Sequence, residues 1–274
     1  MKKKLLCIGF GYSARALARA LPSEEWDIVG TTRDATGPVD GAKVITWPGQ
    51  NILFDGVTHI LLSVAPTAEG DPVFNALCSE IRKAEGLEWV GYLSTTAVYG
   101  DHKGQWVNEE TPATPQSKRG NWRLQAEQAW LGIPELPLHI FRLAGIYGPG
   151  RGPFSKLRKG GLRRIIKPGQ VFSRIHVDDI ARVLKASMAR PNPGAIYNVC
   201  DDEPVPPQEV IGYAAELQGL PTPPAVSFDE ADLTPMARSF YSENKRVRND
   251  RIKDELGVKL LYPNYRVGLE SLLG

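Results

Sequence analysis

The stretch I-G-F-G-Y-S-A-R-A-L-A, residues 8–18, decides the fold. It follows the apolar run K-L-L-C-I-G (4–9) and opens a segment of helical periodicity over 12–21. Gly9 permits a tight turn out of a strand. Gly11 carries no side chain, so a bulky anion can come close to the backbone. Tyr12 and Ser13 begin the helix. Ala14 stands where a third glycine is common and is still small enough for the helix to lie close on a sheet. Unbonded N–H groups and the dipole at the helix start favour negative charge there. Strand, turn and helix in this order predict a βα unit that binds a dinucleotide pyrophosphate. The competing reading is a tight βα turn without a ligand.

Working outward, short apolar runs alternate with helical patterns, the pattern of a parallel sheet with crossover helices. Strands are expected at 26–32, 42–47, 59–65, 89–95 and 138–143, with helices near 72–85 and 117–131. The predicted fold is α/β, a Rossmann-type doubly wound parallel sheet with a small C-terminal lobe. Residues 1–150 form the dinucleotide-binding core. Residues 151–274 form a mixed segment that builds the lobe, with strands near 171–177 and 195–199 returning to the core.

The second strand ends T-T-R, and its terminus sets the cofactor preference. A carboxylate there pairs with the ribose hydroxyls of NAD. Thr32 and Arg33 instead offer a hydroxyl and a guanidinium, which suit a 2′-phosphate and favour NADP over NAD. Asp34, one position later, keeps NAD open, and a solvated charge at a strand end is the plain alternative for Arg33.

Bulk composition narrows the function classes. The 274 residues carry a formal charge of +2, which argues against a nucleic-acid protein driven by bulk charge. Cys7, Cys78 and Cys200 show neither C-x-x-C nor metal spacing, as expected in a reducing compartment. No metal site is expected. The opening M-K-K-K-L-L-C has a basic start, but G-F-G-Y-S interrupts the apolar stretch too soon for a signal peptide. No apolar window reaches the roughly 18 residues of a membrane span. The expectation is a cytoplasmic protein that does not enter membranes.

Three further segments belong with the glycine turn: L-S-T-T-A-V-Y-G (93–100), F-R-L-A-G-I-Y-G-P-G-R (141–151) and R-I-H-V-D-D-I-A (174–181). In this order the four resemble the extended short-chain dehydrogenase/reductase family, the NAD-dependent epimerase/dehydratases, over about residues 4–215. The resemblance implies an oxidoreductase or epimerase acting on a phosphate-bearing or nucleotide-linked sugar. It places Thr95, with Thr96 beside it, at the reacting oxygen, and Ser63 along the cofactor. It also implies pairing of two copies through the helix near 117–131.

The same resemblance exposes a departure. The family's Y-G-x-x-K-l-x-a-E string falls on R-G-N-W-R-L-Q-A-E (119–127). Gly120, Leu124, Ala126 and Glu127 fit, but Arg119 and Arg123 stand at the tyrosine and lysine positions. Arginine has no acceptor and stays charged, so Arg119 cannot serve as a general base. Arg123 can still hold a ribose or phosphate oxygen. The chain therefore resembles atypical members of the family. His176 is the substitute acid/base by its pKa range, and a strand–helix junction residue by the family pattern. Residues 151–167 hold seven basic residues and no acidic one. Arg151, Lys156 and Arg158, with Arg119, are the substrate-phosphate candidates; a solvated loop or an RNA-binding surface are the alternatives. A non-catalytic NADP(H)-binding sensor is the rival to an enzyme.

Overall fold

The computed structural model describes residues 2–34 and 37–273. The strands are β1 (Lys3–Ile8), β2 (Trp26–Thr32), β3 (Lys43–Thr46), β4 (His59–Leu62), β5 (Trp89–Thr95), β6 (Trp106–Val107), β7 (Leu138–Leu143), β8 (Gly145–Tyr147), β9 (Arg164–Ile166), β10 (Arg174–His176), β11 (Ile196–Val199), β12 (Ala225–Ser227) and β13 (Arg246–Val247). The helices are α1 (Tyr12–Ala20), α2 (Pro72–Lys83), α3 (Lys118–Leu131), α4 (Pro153–Lys159), α5 (Val177–Ala189), α6 (Pro207–Leu217), α7 (Pro235–Phe240), α8 (Asp250–Asp254) and α9 (Tyr265–Glu270).

Seven strands form one parallel sheet in the order β11-β7-β5-β4-β1-β2-β3. The order reverses beside β1, where a doubly wound sheet opens a crevice at its carboxyl edge. β4 and β7 are buried along their whole length. Helices cover both faces of the sheet, so these strands read as mainly apolar runs, with His59, His139 and Arg142 their only polar members. α1 and α5 cover one face over Leu5, Cys7, Leu61, Trp89 and Phe141. α2 and α3 cover the other over Leu6, Ile8, Ile60, Val90 and Ile140. A third cluster joins Phe154 and Leu157 of α4 to Val210 and Ala214 of α6 and Leu269 of α9, and is the core of the C-terminal lobe.

Local chemistry sets the element boundaries. Pro72 occupies the first turn of α2, and Asp71 caps it by accepting from Val73 N at 2.8 Å and Phe74 N at 3.1 Å. The other oxygen of Asp71 accepts from Trp130 Nε1 at 3.1 Å, which ties α2 to α3. Gly30 leaves room for the Phe10 ring, which would lie 2.3 Å from a Cβ at that position.

β11 pairs with β7 in the main sheet. β10 does not join it. It forms a two-stranded ribbon with β8, which leaves β7 after a single residue and runs past the sheet's carboxyl edge. The basic stretch 151–167 holds helix α4 and strand β9, which pairs with β12. Near the C-terminal end, β13 pairs with β6. Asn244 O accepts from His102 N and Gly104 N, and Asn244 N donates to Asp101 Oδ1 at 2.8 Å. Residues 244–247 thus strap the loop that follows β5.

Candidate cofactor and active site

β1 delivers the glycine turn to the crevice. Gly9 has φ +92°, and a Cβ there would meet Val64 Cγ2 at 2.9 Å and Val64 N at 3.0 Å. Only glycine takes this position without strain. Gly9 N donates to Thr31 Oγ1 at 2.9 Å and Phe10 N to Thr31 O at 2.6 Å, so the end of β2 fixes the turn. Gly11 is the N-cap of α1 and supplies no side-chain cap, so the first-turn N–H groups stay open. A Cβ on Gly11 would meet nothing within 4 Å. The space ahead of the helix is therefore clear, as a pyrophosphate requires. Ser13 and Ala14 are buried where α1 lies on the sheet.

Tyr12 reaches across the crevice. Its hydroxyl donates to Pro149 O at 2.9 Å, and the Arg151 guanidinium lies 5.6 Å from its ring centre. Arg151 therefore sits beside the glycine turn, close to the start of α1. Lys156 and Arg158 are exposed on α4 and make no ion pair among the described residues. At the end of β2, Thr32 Oγ1 donates to Asp34 O at 2.5 Å. Arg33 is exposed and has no bonded partner among the described residues. Ser63 is half-buried beyond β4, its N–H donating to Ile8 O at 2.9 Å.

β5 ends in Thr95, which caps the 3₁₀ turn Thr96–Tyr99. Its Oγ1 accepts from Ala97 N at 3.2 Å, leaving its O–H as a donor. Thr96 is half-buried next to it. α3 opposes this edge. Arg119 is exposed without a bonded partner among the described residues. Arg123 turns inward: its Nη1 donates to Leu93 O at 2.8 Å and Tyr92 Oη at 3.2 Å, with the guanidinium 5.6 Å from the Tyr92 ring centre. Burial pushes the Tyr92 hydroxyl well up, so this phenol stays protonated.

His176 is the N-cap of α5. Its Nδ1 accepts from Asp178 N at 3.2 Å, and its ring lies against Tyr262 and Tyr147 at 3.9 and 5.2 Å between centres. Its Nε2 is buried without a partner among the described residues, and burial lowers its pKa. The Tyr99 hydroxyl donates to Asn198 Oδ1 at 2.8 Å, while that of Tyr147 packs on Gly268 of α9. Cys200 is buried, and its surroundings hold the thiol protonated.

One group under the site had no local signature in the sequence. Glu127 on α3 and Arg142 on β7 form a buried ion pair, Nη2 to Oε2 at 2.7 Å with Nε bonded as well. Ser94 donates to the other carboxylate oxygen, and the guanidinium lies 4.9 Å from the Tyr99 ring centre. This network locks the carboxyl end of β5 to α3 and β7. The signal available was Glu127 in the family string and an arginine inside the apolar run L-H-I-F-R-L, since a charge in a buried strand needs a partner.

No protein-family model matches the chain. A functionally unknown conserved protein from Silicibacter pomeroyi is 68% identical, with TM-score 0.97 over 99% of this chain and 98% of that one. Protein YeeZ of Escherichia coli (strain K12) is 27% identical over 284 residues, 96% of this chain and 97% of its own. A Methylobacillus flagellatus structure assigned as an NAD-dependent epimerase/dehydratase is 26% identical, with TM-score 0.75 over 100% and 98% of the two chains. The human epimerase family protein SDR39U1, solved with NADPH, shares the fold at 16% identity and TM-score 0.77, over 98% of each chain. Sheet order, glycine turn and these likenesses define the class: a Rossmann-type protein of the NAD-dependent epimerase/dehydratase-like kind. Within that class the chain belongs to the same family as the Silicibacter pomeroyi protein. Among the described residues no helix is long and apolar enough to cross a membrane, and no cluster of His, Cys, Asp or Glu is arranged to hold a metal ion.

Proposed function

We propose that the chain is an NADP(H)-dependent oxidoreductase of the epimerase/dehydratase type, acting on a phosphate-bearing or nucleotide-linked sugar. The observation that carries this reading is the clear space ahead of Gly11, with Arg33, unpartnered among the described residues, at the end of the neighbouring strand. The open N–H groups of α1 hold the pyrophosphate. Arg33 and Thr32 hold the 2′-phosphate. The bound nicotinamide supplies hydride transfer. Thr95 donates its free O–H to the reacting oxygen, and Arg123 lends its remaining N–H groups to the nicotinamide ribose. Arg119, Arg151, Lys156 and Arg158 supply positive charge for substrate phosphate.

A second reading is NADP(H) binding without turnover. It is favoured by the α3 pair: Arg119 is in solvent and cannot take a proton, while Arg123 spends bonds on the backbone of β5.

Calorimetric titration of the nucleotide-stripped protein with NADP⁺, NADPH, NAD⁺ and NADH tests the shared part of both readings. The phosphorylated pair binds more tightly, and Arg33→Ala removes the difference; no binding of any of the four overturns the dinucleotide reading. Thr95→Ala leaves NADPH binding intact and abolishes turnover. Turnover unchanged in that variant removes Thr95 from the chemistry.

A further inference from the structure

The turn that follows β8 and the first residue of α1 face each other across the mouth of the crevice. Gly148 N donates to Arg151 O at 2.8 Å, and Arg151 N to Gly148 O at 3.0 Å. Between them stand Pro149 and Gly150, the latter with φ +72°. Proline second and a positive-φ glycine third suit a type II turn. The turn is stiff, because proline fixes one dihedral and the two ends are bonded to each other.

Tyr12 ties this turn to α1. Its hydroxyl donates to Pro149 O at 2.9 Å, a bond at the surface between residues 137 apart in the chain. The Arg151 guanidinium stands over the ring. Under the turn, a Cβ on Gly148 would lie 2.6 Å from Tyr12 Oη and 2.8 Å from Val177 Cγ1. Position 148 is therefore glycine so that the hydroxyl can reach its acceptor. His176, 1% exposed, borders the same spot with its Nε2 at 3.4 Å, an atom without a partner among the described residues. Its Nδ1 accepts from Asp178 N, so the neutral ring carries its proton on Nε2. A donor thus lies near the hydroxyl when it leaves Pro149 O, and opening does not strand it.

Tyr12 is also part of the phosphate seat. The first amide of α1 bonded within the helix is Arg15 N, on Gly11 O at 2.9 Å. The amides of Tyr12, Ser13 and Ala14 have no acceptor among the described residues. The ring that crosses to Pro149 therefore starts from the backbone that offers these donors. Burial holds the Tyr12 pKa above its ordinary value, so the hydroxyl keeps the proton it donates. A single neutral hydrogen bond at the surface is weak enough to open and close thermally.

We propose that Tyr12 and the Gly148–Arg151 turn form a latch over the dinucleotide seat, shut by the Tyr12 hydroxyl on Pro149 O, and that the dinucleotide enters and leaves only while the latch is open. This rests on the dinucleotide reading above. It gives the Tyr12 hydroxyl a role in exchange and none in holding phosphate. A gate shut by one bond slows entry and exit by the same factor and leaves affinity nearly unchanged, which separates it from a ligand contact.

The test is stopped-flow fluorescence of NADPH binding and release on the full chain, with calorimetry for affinity. Tyr12→Phe removes the hydroxyl alone. It raises the association and dissociation rate constants together, roughly three- to tenfold, the worth of one hydrogen bond, and Kd stays within about twofold. Tyr12→Leu, which also removes the ring under Arg151, raises both at least as much. Neither substitution changes the charge, so electrostatic steering of NADPH is unaltered. Faster dissociation with unchanged association, and so weaker binding, makes the hydroxyl a phosphate ligand and overturns the latch; rates equal to those of the wild type overturn it too. Both outcomes leave the dinucleotide reading standing, whereas a wild type that binds neither NADPH nor NADH removes the reading and the latch together. Should Tyr12→Leu not fold, Tyr12→Phe, which keeps the ring, carries the comparison.

Discussion

Replacing Glu127 by glutamine isolates the charge of the buried network under β5. The side chains of Arg142 and Glu127 are 6% and 1% exposed, so water cannot take over the lost bonds. The amide keeps the size and one acceptor but leaves the guanidinium without a counter-charge. Breaking one side of a buried pair costs about 3–5 kcal/mol. At roughly 2–4 °C per kcal/mol for a chain of this size, the melting temperature falls by about 6–20 °C. Urea unfolding followed by far-ultraviolet circular dichroism gives the free energy directly, with the slope checking that the denatured state is unchanged. The double variant Glu127→Leu with Arg142→Met removes both charges and leaves only the Ser94 hydroxyl short of a partner. It loses less than Glu127→Gln alone. A loss below about 1 kcal/mol for Glu127→Gln would refute the reasoning, and so would a double variant less stable than the single one.

Further outcomes are expected. Gly9→Ala loses at least about 1–2 kcal/mol, because its φ is +92° and Val64 stands against the new Cβ. Gly11→Ala stays within roughly 0.5 kcal/mol of the parent yet weakens NADPH by about tenfold or more; thermal melts and calorimetry separate the two. His139 is fully buried, accepts from Asn192 N at 2.8 Å, and has its pKa lowered to about 4 by burial. Its unfolded form takes a proton first as pH falls, so its contribution is complete above about pH 6.5 and is lost down to about pH 4. That contribution is roughly 3 kcal/mol. His59 acts in the same direction, so His139→Gln should reduce the stability slope over this window without removing it, and an unchanged slope contradicts the assignment. Asp71→Ala leaves two N–H groups of α2 and the Trp130 indole N–H without acceptors and costs about 2–3 kcal/mol by urea unfolding with Trp fluorescence; Asp71→Asn, which keeps the acceptor on the cap, loses less.

The main sheet was legible because its central strands are buried on both faces and read as apolar runs bounded by turn or helical patterns. The runs at 26–32, 89–95 and 138–143 coincide with β2, β5 and β7. The glycine turn was legible because tight turn, open backbone and helix start are adjacent in sequence. What escaped is pairing across distance. The three residues of β8 carry no periodicity, so nothing local says that β10 joins them rather than the core sheet. Arg142 and Arg174 look alike in sequence, each an arginine in an apolar strand. One finds Glu127 fifteen residues away and is ion-paired with it; the other donates only to backbone carbonyls among the described residues. That difference belongs to tertiary packing, which no spacing rule encodes.

The strap at Asn244–Val247 also has a consequence in time. A chain emerging from the ribosome completes β5 and its hydroxyl-bearing end more than a hundred residues before Asn244 exists. Until then His102 N and Gly104 N lack their acceptor, the Asp101 carboxylate is held by Lys103 N alone of its two backbone donors, and β6 has no strand beside it. The nascent protein can close the glycine turn early, from contiguous residues, but cannot fix the far wall of the crevice until residues 244–247 have been made. Closure of the glycine turn and completion of the edge that follows β5 are thus ordered events during production of each molecule, the first local and the second waiting on a segment far along the chain.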